Sequence, residues 1–231
     1  MTSRELIAAT LRLGATPRRP VALLSAGAWT LLQNGLTLEQ ALEAGPEAIA
    51  AAIARTNERV GSDIVWPGSG YHNLALRALG APIKFRPRGR PDVIAPVIAT
   101  PRDAARLALG RLREDPGIQA LVGATALLAR ELGASTVVGT SQWAPFTLAA
   151  LAYGAEPMMR GIFRDPPAVH AVLAFAAEAC FAYLEPFIEA GVSMISLADP
   201  TSSGDMISRG QFAEFSLPWL TKVAARVRAR G

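Results

Sequence analysis

The chain has one cysteine, two histidines and two lysines among its 231 residues. A single cysteine, Cys180, excludes a disulfide framework. By spacing, His72, His170 and Cys180 do not form a metal site. His170 and Cys180 fall within one long apolar helical pattern, ten residues apart and so on different turns. Charged residues are scarce at 18%, and with only Lys84 and Lys222 the net charge of +4 is carried by arginine. No basic stripe interleaved with aromatics is present, which argues against nucleic-acid binding. No clean apolar run opens the chain, because Arg4, Glu5 and Arg12 interrupt it, so no secretory signal is expected there. The most apolar region, residues 168–184, contains His170 and Glu178 and is shorter than the ~20 clean residues of a membrane span. A soluble, cytoplasmic protein with no membrane partner is expected.

What is abundant is apolar: 51% of residues are hydrophobic, punctuated by 20 glycines and 17 prolines. That composition can bury a sizeable core and argues against disorder. A single domain over residues 1–231 is expected, without a linker or tandem repeat. Capping-box spacings at Thr2/Glu5, Thr37/Gln40 and Ser208/Gln211 mark helix starts. Prolines at first-turn positions predict helices from Pro46 to about Val60, from Thr100-Pro101 to about Arg113, and from Pro116 to about Leu132. Further helices are predicted over about 72–79, from the Gln142–Phe146 loop to about Tyr153, and from Asp165-Pro166 to about Ala190. Pro186 is expected to disturb the last turn of that long helix, and Pro218 to kink a final helix running to Arg230. Short β-branched or apolar runs predict strands at Val21–Ser25, Asp63–Pro67, Ser135–Thr140 and Ser193–Ala198. Residues 81–85 read as an extended excursion and 86–96 as a loop.

The order is thus strand then helix, four times over, which requires parallel strands joined by crossovers. A (β/α)8 TIM-type barrel has eight such units in typically ~250 residues. Here about four units take up the chain, so the expected fold is α/β with only the first half of such a barrel. An open half barrel exposes strand edges. A truncated product, a homodimer or a complementary half-barrel chain is expected to account for it, with a self-sufficient open α/β sandwich as the competing arrangement.

Ligand sites of such folds lie at strand carboxyl ends. The segment Gly191–Asp205 places Asp199, Ser202 and Ser203 at one such end. The other ends contribute Ser25 and Trp29, Ser69 and His72, and Trp143 and Phe146. Asp199 either orients substrate or a metal ligand, or makes an Asx-type turn before Pro200. His72 either lines the pocket or starts a helix at the surface. Trp143 and Phe146 either face a flat ligand or pack over the barrel mouth. The cluster Arg86–Arg90 could meet an anionic ligand.

Three stretches carry a family resemblance. They are Ala78–Phe85, Val138–Ala150, and Asp199–Ser208 together with Phe212–Trp219 (the "ADPTxSxDxIS" and "FxEFxLP[YW]" patterns). On these the chain resembles the uroporphyrinogen decarboxylase superfamily over essentially its whole length, most closely the corrinoid-linked methyltransferase branch. For the decarboxylases the resemblance implies an arginine-bearing loop after strand one, an aspartate after strand two and a tyrosine after strand three. Here those places read Leu24–Trp29 without arginine, Val65–Ser69 without aspartate, and Leu151, with Tyr153 two residues off. Arginine matters there because planar bidentate pairs neutralise carboxylates. Tetrapyrrole decarboxylation is therefore disfavoured. For the methyltransferases the resemblance implies transfer of a methyl group from a corrinoid protein to a thiol, with zinc lowering the thiol pKa. The family's zinc ligands belong to a His-x-Cys pair after strand five and a later cysteine, which this chain does not contain. Zinc and corrinoid are thus implied for an intact relative, and this chain alone is expected to be inactive. A non-catalytic half-barrel binding or assembly subunit is the alternative.

Overall fold

The computed structural model describes residues 1–24 and 27–230. Ser25, placed above at a strand end, lies outside the described residues. Three strands form a parallel sheet in the order β1 (Ile64–Val65), β4 (Val137–Trp143), β5 (Met194–Ala198). Ile64 pairs with Val137, and β4 meets β5 along five residue pairs from Gly139–Met194 to Trp143–Ala198. The strand expected at Val21–Ser25 is reduced to one parallel bridge, Ala22 to Ile64. Pro20 cannot donate to a ladder, and Asp63 takes the Val21 N–H at 2.8 Å. Chain order is therefore sheet order, with helices between the strands. Among the described residues no strand pair closes the sheet into a barrel.

Every residue of β4 is buried, because the strand has a partner on each edge and helices packed against it. Val138 lies with the main core under the helices α4 (Pro46–Val60), α7 (Pro116–Leu132) and α10 (Pro166–Glu189). On the other face Ile64, Trp66 and Val137 cluster with Ile7 of α1 (Ser3–Leu11), and Met194 packs against them. Period-two alternation thus puts Gly139, Ser141 and Trp143 on one face. Gly139 is needed there, since a Cβ at that point would sit 2.6 Å from the Trp66 ring.

The three capping boxes form as the spacings predict, at Thr2, Thr37 and Ser208. A fourth forms at Thr100 with Asp103. Its helix does not run to Arg113. A 3-10 turn (Pro101–Arg106) stops at extended Leu107, and a separate short helix, α6 (Arg111–Glu114), follows. The excursion at 81–85 is half of a hairpin: β2 (Ile83–Lys84) pairs antiparallel with β3 (Asp92–Val93). The reading also missed α9 (Ala155–Arg164), which lies between α8 (Pro145–Tyr153) and α10.

By length and composition α10 is apolar enough to cross a membrane. It is buried along most of that length against α8, α9, α12 (Leu217–Arg228) and β4. It continues through Pro186 and ends at Glu189. The last helical run is interrupted just before Pro218, which sits in the first turn of α12. A π turn at Phe212–Ser216 precedes it, with the Leu217 N–H donating to the Phe212 carbonyl. The widened turn accommodates the carbonyls that a proline leaves without a donor.

Candidate active site

The carboxyl ends of β1 and β4 open onto a cleft of about 360 Å³. It is lined by Ala28, Trp29, Leu32, Gly70, His72, Gly89, Arg90 and Trp143. The side chains reach it from four separate segments. Trp29 and Leu32 come from α2 (Gly27–Leu32), and Gly70 and His72 from the loop after β1. Arg90 comes from the hairpin loop and Trp143 from the last residue of β4. The first wall depends on Gly27. A Cβ there would stand 2.2 Å from the Ser69 carbonyl oxygen, so only glycine lets α2 lie this close to the 67–71 loop.

His72 is buried, with Nε2 2.6 Å from Ser141 Oγ and its ring edge-on to Trp143 at 4.4 Å between centroids. Burial, and then the nearby Arg90 guanidinium, pull its pKa down to about 4. At neutral pH it is an uncharged imidazole. The Trp143 indole Nε1 donates to Asn73 Oδ1 at 2.8 Å, and Asn73 Nδ2 donates to the Pro91 carbonyl at 2.8 Å. This buried relay fixes the indole and the start of β3's approach together. Arg90 lies over the Trp143 ring at 5.5 Å. Nearby Arg86 is paired with Asp92, and Asn73, Arg86, Arg90 and Asp92 line a second cleft that shares Arg90 and Trp143 with the first.

Asp199 stands at the end of β5 and is not a free carboxylate. Oδ1 accepts from the Thr147 N–H at 2.8 Å and the Thr147 hydroxyl at 2.7 Å. Oδ2 accepts from the Ser216 hydroxyl at 2.9 Å. Thr147 Oγ1 also lies 2.7 Å from Thr201 Oγ1. The Ser202 hydroxyl donates to the Asp199 carbonyl at 3.0 Å. Asp199 thereby ties β5 to the start of α8 and to the π turn. Neither it, Ser202 nor Ser203 lines the His72 cleft.

The structure therefore brings together Trp29, His72 and Trp143 from the expected set and leaves others apart. Phe146 is wholly buried within α8, in the core, and does not line the His72 cleft. That position accords with the packing role. Ser69 is buried in the loop beneath α2 and contributes no lining. Ser141 and Asn73 escaped the sequence reading. Strand alternation from Trp143 could have found Ser141, and adjacency to His72 could have drawn attention to Asn73.

Zinc does not fit the residues present. Among the described residues no three of His, Cys, Asp and Glu are grouped to hold a metal ion. Cys180 is wholly buried, and burial pushes its thiol well above the ordinary range, against thiolate formation. His72 Nε2 is engaged by Ser141 and faces a guanidinium. No step through zinc is derived from these side chains.

Solved structures share this architecture. A methyltransferase from Methanosarcina mazei superposes with a TM-score of 0.80 at 21% identity, covering 98% of this chain and 67% of that one. Among curated proteins, a methylated-thiol–coenzyme M methyltransferase of Methanosarcina mazei is 28% identical over 155 residues, 67% of this chain and 42% of that protein. A uroporphyrinogen decarboxylase of Rhodococcus erythropolis is 33% identical over 151 residues, 61% of this chain and 41% of that protein. The chain thus matches well under half the length of these curated relatives. The strand-end cleft, the sheet order and the shared architecture agree with a match that spans nearly the whole chain: the uroporphyrinogen decarboxylase (URO-D) model covers residues 2–231, and the chain belongs to that family.

Proposed function

We propose that this chain is methyltransferase-like rather than a tetrapyrrole decarboxylase, and that its cleft forms the substrate side of a methyl transfer from a corrinoid to a thiol. The observation that carries this reading is the cleft's charge: one guanidinium, Arg90, with no carboxylate and otherwise aromatic, apolar or neutral walls. A porphyrinogen bearing many carboxylates calls for several bidentate cations. A ligand with a single acidic group and an apolar remainder matches one guanidinium beside tryptophan. The methyltransferase relative supports the same reading. The sheet, with strands in chain order, then forms part of a (β/α)8 barrel. No thiolate-activating centre exists among the described residues, so this reading calls for thiol-activating groups beyond those residues.

The decarboxylase reading keeps one supporting observation, the 33% identity to a protein of that name. A paired assay separates the two. The purified chain is titrated with methylcobalamin, then incubated with a thiol with and without zinc, and separately with uroporphyrinogen. The expected result is corrinoid binding, no rapid methyl transfer by the chain alone, and unchanged uroporphyrinogen. Consumption of uroporphyrinogen with release of carbon dioxide, or failure to bind any corrinoid, overturns the proposal.

A further inference from the structure

We propose that the tip of the β2–β3 hairpin, residues 86–91, is a gate between two clefts, and that Asn73 is the catch that holds it shut. The inference concerns movement of this segment and holds whatever ligand and reaction the cleft serves.

The root and the tip of the hairpin are held differently. At the root, Ile83, Phe85 and Val93 pack against the main core, and Arg77 lies over the Phe85 ring. The Ile94 N–H donates to the Pro82 carbonyl at 2.9 Å. Only two residue pairs, Ile83–Val93 and Lys84–Asp92, then carry the chain outward. A ladder this short does not hold a hairpin closed by itself. Beyond it residues 86–90 are all exposed. Gly89 lines the cleft, yet a Cβ on it would meet nothing within 4 Å. The tip therefore overhangs the cleft without packing on its floor.

One buried residue, Pro91, ties the tip down. Its carbonyl accepts from Asn73 Nδ2 at 2.8 Å, and Asn73 is fixed in turn by the Trp143 indole on Oδ1. Arg90 adds a contact over the Trp143 ring at 5.5 Å. The charge of the tip opposes these contacts. Arg86, Arg88 and Arg90 lie within five residues, and among the described residues only Arg86 has a carboxylate partner, Asp92. Like charges at that spacing repel and favour an extended, lifted tip. A closure held by one neutral hydrogen bond and one ring contact against that repulsion is readily released.

Arg90 and Trp143 line both the cleft of about 360 Å³ and its neighbour of about 440 Å³. Arg90 over the indole is thus the partition between them. When the tip lifts, Arg90 leaves with it, and the two join into one trough running from Trp29 and His72 to Ile94 and Leu151. Closed, the site holds a small molecule; open, it passes a longer one. Asn73 is a positioning residue in this device, since it acts through Pro91 and Trp143.

The test is native-state proteolysis of the full chain. Trypsin does not cut ahead of proline, so Arg86–Pro87 and Arg90–Pro91 are spared and Arg88–Gly89 is the cleavable bond of the tip. Cleavage there, read by mass spectrometry, is expected to hold its rate within about two-fold across low urea concentrations, because lifting the tip exposes little surface. It should also run well below the rate of an unfolded peptide of the same sequence. A rate that climbs with the full urea slope of global unfolding overturns the gate. So does a tip cut as fast as the peptide, since a loop that is always open has no catch. Asn73→Asp keeps an oxygen for the Trp143 indole and removes the donor to Pro91. It should raise cleavage at Arg88–Gly89 at least about five-fold and leave cleavage after Arg228 in α12 unchanged. In a Trp29→Phe background it should also steepen acrylamide quenching of Trp143. A folded Asn73→Asp with wild-type cleavage and quenching overturns the assignment. Where that variant does not fold, the two wild-type measurements decide. No readout involves a methyl donor, a thiol or zinc, so a gate that opens in a chain that binds no corrinoid removes the proposed reaction alone, and corrinoid binding with a tip that never lifts removes the gate alone.

Discussion

Asp63 has no accessible side-chain surface, yet it stays ionised because donors converge on it. Arg18 supplies two guanidinium bonds at 2.6 and 2.7 Å, Ser3 a hydroxyl at 2.5 Å, and Val21 a backbone N–H at 2.8 Å. Together they hold its carboxyl well below the usual carboxylate range. Its contribution to stability is therefore full above the ordinary carboxylate pKa and is lost as pH falls towards the lowered folded-state value. Asp63→Asn should cost about 2 kcal/mol in urea unfolding at pH 7 and flatten the acid limb of the stability profile. His72 titrates in the opposite chemical sense with the same sign. Its folded pKa of about 4 lies below the unfolded value of about 6.5, so the folded state binds fewer protons between them. Stability attributable to His72 is complete above about pH 6.5 and falls by on the order of 3 kcal/mol as pH drops towards 4. Proton NMR should find the imidazole neutral at pH 6, and His72→Gln should remove this limb of the urea profile. The sequence marked His72 as a residue after a strand that either lines the pocket or starts a helix. Its neutrality comes from burial and from Arg90, which is close in space and distant in the chain.

Elements built on local rules could be read from the sequence. Thr37 with Gln40 and Pro46 at a first turn dictate α3 (Leu38–Ala44) and α4 through hydrogen bonds closed within a few residues. The long period of apolar positions after Asp165 likewise predicts α10. Elements fixed by distant partners could not be read so well. The first strand shrinks to a bridge because Asp63 competes for the Val21 N–H. The hairpin of β2 and β3 is held by pairing across an arginine-rich loop with no alternation to reveal it. The same division runs through the cleft. Trp143 was legible from its place at a strand end, whereas the approach of α2 rests on Gly27, whose contact with Ser69 lies 42 residues along the chain. Gly27→Ala should destabilise the fold by about 1–3 kcal/mol. It should also push Trp29 away from the cleft, seen as a red-shifted, more exposed tryptophan emission. Unchanged emission and stability would mean that the α2 wall does not depend on this close approach.

Across the whole molecule, protection from solvent is graded about β4. That strand is paired on both edges and buried at all seven residues, while every residue of β5 is only partly covered and is paired on one edge among the described residues. Local opening follows such differences. Hydrogen exchange by mass spectrometry should therefore show peptides over 137–143 and the buried length of α10 exchanging slowest, β5 faster, and the 83–93 hairpin faster still. Equal protection in β4 and β5 would contradict this gradient. The overall class was legible because alternation of strand and helix forces parallel pairing.

The π turn before Pro218 has a geometric consequence for the last helix. One extra residue per turn offsets everything downstream by about 100° about the helix axis. With that offset, Lys222 and Arg226 meet the same carboxylate, Glu178, at 2.9 and 2.5 Å, and Arg226 lies over the Phe181 ring. Ser216, inside the turn, meets Asp199. The inserted residue acts as a phase adjuster: a helix wound regularly through Ser216 would carry both cations past Glu178 and leave the end of β5 without its third hydroxyl-bearing neighbour.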